Sequence, residues 1–343
     1  MDAINELQKI VGSENVLYGE SLGQYEIDPS GKYNGSSLAV VRPLNTTQVS
    51  ELVKLANELK MPIIPQGGNT GLAGGCFAGE GGDAIILSLN RMNNIREIRS
   101  DGRIAIVEGG VILSKLHDAA AKYDLIFPLF FGARGSAMIG GNLATNAGGS
   151  NVLRYGNTRD LVLGIEAVMP NGQIVDLMSE LHKDNSGYNL KHLLIGAEGT
   201  LGIITAAVVK LFPKPKAYAT AIISIPDLTY ALPILNELNK MTNNCVEAFE
   251  YMPEEYFNAL CERFEDMRQP FTKPAKHAVF LEIGAMSQED AMPDKNGNIP
   301  IEAKVENLFA DWLKSGEILD AVICKSEAQR SEMWERRERA YEV

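Results

Sequence analysis

Pro65-Gln-Gly-Gly-Asn-Thr-Gly-Leu-Ala-Gly-Gly75 and Gly132-Ala-Arg-Gly-Ser-Ala-Met-Ile-Gly-Gly-Asn-Leu-Ala-Thr-Asn-Ala-Gly-Gly149 are the stretches whose reading decides the fold. Glycine loses more backbone freedom on folding than any other residue and adds no packing, so this density needs a cause. The usual causes are positive φ and close approach of backbone to a ligand. A loop of outward-pointing N–H groups forms a concave nest for anionic oxygens, which suits a phosphate or pyrophosphate. The expectation is a nucleotide cofactor.

The residues around the first stretch place it. Leu38–Pro43 reads as a short strand, and Val49, Leu52, Val53, Ala56 and Leu59 recur at helical spacing behind a cap expected at Thr46 or Thr47. Met61–Pro65 then runs as a strand into the first glycine loop, and Ala84–Leu89 follows as a buried strand. This is a small βαβ unit with the loop at a strand's carboxyl end, where open α/β sheets bind ligands. From Ile95 onward the rhythm is that of hairpins, with Asp101-Gly102 and Asn171-Gly172 as turn signals.

Pro213-Lys-Pro215 marks a boundary, because two nearby prolines interrupt both helix and ladder. Beyond it, strands Thr220–Ile225, Val246–Tyr251, Ala278–Ile283 and Leu319–Cys324 alternate with helices Leu228–Met241, Glu254–Phe264 and Ile301–Leu313. The expected class is α+β: a two-lobed domain over 1–213 (a small parallel βαβ lobe, 1–95, and an antiparallel lobe, 96–213), then a partial ferredoxin-like α+β domain over 214–343. The segment from Glu327 to Val343 reads as helix and shows no terminating Gly, Asn or Pro, so truncation within it is expected.

Composition removes several classes of function. With 32 Lys+Arg against 44 Asp+Glu the net charge is -12, which disfavours a nucleic-acid partner. No run reaches the roughly 18–20 apolar residues of a membrane span, and the start Met1-Asp-Ala-Ile-Asn-Glu lacks a signal-peptide pattern. The cytoplasm is the expected location. Cys76, Cys245, Cys261 and Cys324 form no CxxC pair and read as reduced core thiols. His117, His182, His192 and His277 show no metal-ligand spacing, so no metal site is expected within the chain.

Two common nucleotide signatures are absent. Glycines at i, i+2 and i+5 do not occur, and no Gly-Lys pair is followed by Ser or Thr. The second stretch instead combines small polar side chains with bare backbone in Gly140-Gly-Asn142 and Thr145-Asn-Ala-Gly-Gly149. That mixture suits a ribityl chain, a pyrophosphate and a flat flavin ring.

At this level of detail the chain resembles the FAD-binding family that includes vanillyl-alcohol oxidase, in its branch of D-lactate, glycolate and D-2-hydroxyglutarate dehydrogenases. The carrying residues are Pro65–Gly71, Gly135-Ser136, Ile139–Asn142, Thr145–Gly149, Arg154-Tyr-Gly156, Lys183–Lys191 and Gly196–Thr205. The resemblance implies that Gln66, Gly67, Gly68, Asn69, Thr70 and Gly71 hold the FAD diphosphate. It also implies that Ser136, Gly141, Asn142, Thr145, Ala147 and Gly148 line the flavin, with Glu198, Gly199 and Ile203 near the adenosine or ring edge. The first loop has Asn69 and no histidine, so non-covalent FAD is implied. Trp334-Glu-Arg-Arg337-Glu338 resembles the Trp-x-x-Arg-Glu pattern that sets an arginine on the substrate carboxylate, which makes Arg337 the candidate. The alternating charges of Arg336, Arg337, Arg339, Glu335, Glu338 and Glu342 would equally describe a solvated helix face.

The resemblance implies oxidation of a D-2-hydroxy acid, D-2-hydroxyglutarate or D-lactate, to the 2-oxo acid, with a separate electron acceptor; it also allows a homodimer. The family's His-x-His-x-Gly-Asp-Gly-Asn run has no counterpart here, so a divalent metal and the general base are expected outside these residues. An FAD-binding subunit or truncated product without turnover is the alternative, and an NADPH-using reductase of the same fold a third.

Overall fold

The protein, described by a computed structural model over residues 3–343, divides into two compact units. Unit 1 comprises the chain up to Pro128 with Ala133–Gly148 and Asn157–Phe212, and unit 2 comprises Leu129–Gly132, Gly149–Gly156 and Pro213–Val343.

Unit 1 begins with α1 (Ala3–Val11), β1 (Val16–Leu17), α2 (Gly23–Glu26), β2 (Ala39–Val41), α3 (Thr46–Leu59), β3 (Ile63–Gln66) and β4 (Ile85–Ser88). Strands β2 and β3 run parallel to β4 on either side, and β1 is antiparallel to β2. The fully buried runs Ala39–Val41 and Ile85–Ser88 are what a parallel strand covered on both faces requires. Leu52, Val49 and Ala56 of α3 pack on Val41, Ile85 and Leu87. The cap of α3 is Asn45, whose side chain accepts from the Gln48 N–H at 2.9 Å, and not Thr46 or Thr47. Thr46 is instead buried and donates to the Glu166 carboxylate, an interaction 120 residues distant that local pattern cannot register.

The second lobe of unit 1 holds β5 (Ile95–Arg99), β6 (Ile104–Glu108), α4 (Leu113–Ala121), β7 (Leu125–Ile126) and α5 (Ile139–Ala144). After α6 (Val152–Tyr155), which belongs to unit 2, it continues with β8 (Val162–Val168), β9 (Ile174–Leu177), α7 (Lys191–Leu194) and β10 (Ile203–Lys210). These strands form an antiparallel sheet in the order β5-β6-β10-β8-β9. The hairpins expected at Asp101-Gly102 and Asn171-Gly172 join β5 to β6 and β8 to β9. The lobes meet closely: a Cβ on Gly110 would lie 1.9 Å from the Leu89 carbonyl oxygen, and Ser50 donates to the Gly172 carbonyl at 2.5 Å.

Past β11 (Phe212–Pro213), unit 2 is built on β12 (Ala217–Ser224), α8 (Ala231–Thr242), β13 (Val246–Pro253), α9 (Glu254–Arg263), β14 (His277–Ala285), α10 (Gln288–Ala291), α11 (Pro300–Ser315), β15 (Asp320–Ile323) and α12 (Glu327–Glu338). The sheet order is β13-β14-β12-β15 with every neighbour antiparallel, the order of a split βαβ fold. Alternation sorts the two faces: Ala219, Ala221, Ile223, Val279 and Leu281 pack against the helices carrying Leu238, Val305 and Phe309. Ile222, Phe280 and Ala248 point the other way, toward Phe257 and Met333.

Two terminal expectations are corrected. The last helix ends at Glu338 and gives way to a 3-10 turn over Arg339–Glu342. Of the four free cysteines only Cys324 is buried; Cys76, Cys245 and Cys261 are half-buried.

Candidate functional site

The two glycine-rich stretches converge in unit 1. A Cβ on Gly68 would stand 2.0 Å from the Ser136 carbonyl oxygen, and one on Gly67 would stand 3.4 Å from Gly141 Cα. Glycine at 68 is therefore demanded by backbone meeting backbone. Gln66 is buried at the end of β3 and donates Nε2 to the Tyr25 carbonyl at 2.9 Å, while Asn69 donates Nδ2 to the Ile27 carbonyl at 2.9 Å. Both amide NH2 groups are thus engaged in holding the loop. Asn69 itself is left-handed, with φ 49°, which turns the loop at the residue before Thr70.

The remaining glycines carry different information. Around a Cβ on Gly71 or Gly135 nothing lies within 4 Å, and on Gly141 only Gly67 Cα comes near, at 3.9 Å. None of the three has positive φ, so neither strain nor packing within the chain excludes a side chain there. The space beside them is what a flat ligand in backbone contact would fill.

Helix α5 presents Asn142 from beneath. It is 5% exposed and its amide nitrogen has no hydrogen-bond partner in the protein, a costly arrangement unless a ligand acceptor meets it. Thr145 is exposed and donates Oγ1 to the Gly141 carbonyl at 3.0 Å. Asn146, at φ 48°, accepts the Arg159 N–H on its side-chain oxygen, and the Ala147 carbonyl accepts the Thr158 hydroxyl at 2.6 Å. These bonds hold the turn through Ala147 and Gly148.

The third segment joins by backbone bonds. Gly196 and Glu198 donate their N–H groups to the Leu143 and Ala144 carbonyls, at 3.0 and 2.9 Å. Gly199, at φ 79°, lies against the Pro65 ring, and Glu198 reaches to 3.6 Å from the Cβ position of Gly75. Ile203 with Ala56, Ile63, Pro65, Val168 and Gly199 lines a cavity of about 180 Å³. Arg159 was not anticipated: its Nε is buried without a partner while Nη2 donates to the Ile195 carbonyl at 2.6 Å. Its sequence context, Thr158-Arg-Asp160, carries no pattern that would have found it.

Unit 2 holds a second set of polar groups on one face of its sheet. Glu247, on the bulged start of β13, is buried and accepts from Asn151 at 2.9 Å, Tyr155 at 3.1 Å and Arg154. Burial pushes the Glu247 carboxyl up, against the pull of Arg154, and likewise raises the Tyr155 phenol. On β14 the buried Glu282 accepts from Arg330, from Trp334 Nε1 at 2.8 Å and from Thr220 at 2.6 Å. Trp334 also meets the Phe280 ring edge-on, with centroids 4.7 Å apart.

Arg337 follows Trp334 on α12 and donates Nε to Glu250 of β13 at 2.8 Å. Among the described residues nothing accepts from its two Nη atoms. Arg336 does not belong to a solvated face: it is 6% exposed, with Nε on the Arg268 carbonyl and Nη2 on Glu332. Glu250 went unnoticed in the sequence because it lies 87 residues before Arg337. Among the described residues no three His, Cys, Asp or Glu side chains gather as a metal site.

A glycine-bounded space beside an unpartnered buried amide, entered from strand ends of a two-lobed body, defines a flavin-nucleotide-binding protein, and the donor set fits FAD. Residues 37–178 match the family model described as an FAD binding domain. It is 33% identical over 98% of its length to the mitochondrial D-2-hydroxyglutarate dehydrogenase of Arabidopsis thaliana, of which it covers 58%. It is 32% identical over 92% of its length to the D-2-hydroxyglutarate dehydrogenase of Xanthomonas citri pv. viticola, covering 64% of it. The chain thus spans about three fifths of these relatives' length. The fold also matches alkyldihydroxyacetonephosphate synthase, with TM-score 0.73, 19% identity, and 99% of this chain and 64% of that one covered. For p-cresol methylhydroxylase the TM-score is 0.70, with 18% identity and coverage of 96% and 68%.

Proposed function

We propose that this chain is the FAD-holding and carboxylate-binding part of a D-2-hydroxy-acid dehydrogenase, acting on D-2-hydroxyglutarate or D-lactate. The observation that carries the reading is the free Nη edge of Arg337, the residue its Trp-x-x-Arg-Glu pattern singles out. When bound, FAD supplies the two-electron acceptor for the hydride on the substrate's C2. A planar guanidinium offers two parallel N–H donors to a carboxylate and so fixes the neighbouring C2 in orientation.

In this proposal residues 1–213 form the FAD-binding domain and 214–343 the substrate domain. Gln66–Gly71 supply backbone donors to the diphosphate; Ser136, Gly141, Asn142, Thr145, Ala147 and Gly148 line the ring; Glu198, Gly199 and Ile203 adjoin the adenosine or the ring edge. The first loop has no histidine, so the FAD is dissociable. Electrons leave to a separate acceptor. The cytoplasm is the proposed compartment, although the Arabidopsis relative is named as mitochondrial; imaging of the tagged gene product decides between them.

The test is the absorption spectrum of the purified chain and its dye reduction with D-2-hydroxyglutarate and D-lactate. A flavin spectrum released by acid precipitation, with reduction by either acid, is expected. A bound flavin without reduction supports instead a flavin-binding chain with no turnover of its own, and a colourless chain that cannot be reconstituted ends the proposal.

A further inference from the structure

Arg330 and Arg337 are two helical turns apart on α12, and their guanidinium groups are held in different ways. Arg330 gives Nε and Nη2 to Glu282 and Nη1 to Glu327, so every nitrogen is engaged. Arg336 gives Nε to a carbonyl and Nη2 to Glu332. Arg337 gives Nε alone, to Glu250.

We propose that Glu250 is the positioning residue for Arg337: by accepting from Nε it closes the side edge of the guanidinium and leaves the Nη1/Nη2 edge to take the carboxylate of a 2-hydroxy acid. This rests on the reading of Arg337 as the carboxylate ligand. Three observations support it. Glu250 stands midway along β13, the edge strand of the sheet, paired with Phe280 of β14, so its backbone is held by the ladder. Arg337 stands on a helix that Glu282 anchors through Arg330 and Trp334, the latter one turn before it. Both side chains of the Arg337–Glu250 pair are only partly exposed, at 31% and 26%, so their geometry is constrained on both sides.

The charge of Glu250 opposes binding of an anion, which separates orientation from simple electrostatics. If Glu250 acts through its field alone, removing it tightens anion binding. If it acts by orienting Arg337, removing the acceptor weakens binding even though a negative charge has gone. Glutamine keeps an acceptor oxygen without the charge.

The experiment titrates the FAD-loaded full chain with 2-oxoglutarate and with pyruvate, the product-side acids, by calorimetry. Wild type, Glu250→Gln, Glu250→Ala and Arg337→Ala are compared, with thermal midpoints measured alongside. Arg337→Ala is expected to abolish binding. Glu250→Ala is expected to weaken it on the order of tenfold or more, the scale on which groups that orient a ligating side chain act at other sites. Glu250→Gln is expected to stay within about threefold of wild type, and loss of this partly exposed pair shifts the thermal midpoint only modestly. Wild-type chain that binds neither acid, or Arg337→Ala that binds as well as wild type, overturns the reading of Arg337 and the inference together. Loss in Arg337→Ala with unchanged or tighter binding in Glu250→Ala overturns the inference alone, and so does a Glu250→Gln chain as weak as Glu250→Ala.

Discussion

Glu282 of β14 and Arg330 of α12 meet in a two-point pair, Nε to Oε2 at 2.7 Å and Nη2 to Oε1 at 2.9 Å, with the carboxylate buried within the sheet of unit 2. Removing one partner leaves an uncompensated charge out of water. Glu282→Leu, which also strands Trp334 Nε1 and the Thr220 hydroxyl, is expected to destabilise unit 2 by about 3–5 kcal/mol. Arg330→Met leaves the Glu282 carboxylate charged and buried with only the neutral Trp334 and Thr220 donors, so a loss of similar size is expected, and the double variant should cost less than the sum. Urea unfolding of the four proteins measures this; strictly additive losses would count against a coupled pair.

Gly68 and Gly71 lie three residues apart and should respond in opposite ways to alanine. A Cβ at 68 would overlap the Ser136 carbonyl, so Gly68→Ala should lose at least about 1–3 kcal/mol of stability before any cofactor is added. At 71 the space is open, and the apo protein should be unchanged or stabilised by up to about 1 kcal/mol. FAD affinity of Gly71→Ala should nonetheless drop by roughly tenfold, equivalent to 1.4 kcal/mol. Thermal shifts with and without FAD separate the two, and Gly71→Ala binding FAD normally would show that the space beside it is not the cofactor's.

Asn142 has a buried donor that the protein leaves unmatched. Asn142→Ala removes that donor along with a small volume, so the apo chain should change by less than about 1 kcal/mol. The same variant should bind FAD on the order of tenfold more weakly, by loss of one buried hydrogen bond. Fluorescence titration with FAD reads the affinity directly; a stability loss without an affinity loss would assign Asn142 to the fold alone.

Cys324 should be the slowest of the four thiols to alkylate. Burial, reinforced by the nearby Glu282 carboxylate, pushes its pKa up to about 11. At pH 8 its thiolate fraction is then about 0.001, against roughly 0.2 for a free cysteine of pKa 8.5. The linkage has a definite sign: the folded pKa lies above the unfolded one, so the contribution to stability is whole below about pH 9 and is lost as pH rises through 11. Cys324→Ala should flatten that part of the alkaline decline. Iodoacetamide labelling read by peptide mass, and unfolding at pH 8 and 10.5, check both statements.

Local chemistry determined a great deal of this protein. Period-two and period-3.6 patterns, two Asx-Gly turns and the Pro213–Pro215 break mark the elements and their order, because each rests on the backbone preferences of a few adjacent residues. The two glycine-rich stretches mark the cradle for the same reason, and with the family resemblance they name its cofactor. Only the tertiary structure decided which glycines are packed and which face open space, since Gly68 and Gly71 look alike until the Ser136 carbonyl is brought to 2.0 Å from where a Cβ on Gly68 would stand. It decided that Asn45 and not Thr46 caps α3, because Thr46 is taken by Glu166 across 120 residues. It decided too that Arg336 is buried while Arg337 is held by Glu250 with its outer edge free, an assignment that depends on a strand 87 residues away. Preferences of neighbouring residues are written along the chain; the partner a side chain meets, and hence what it is free to bind, exists only once distant segments are in contact.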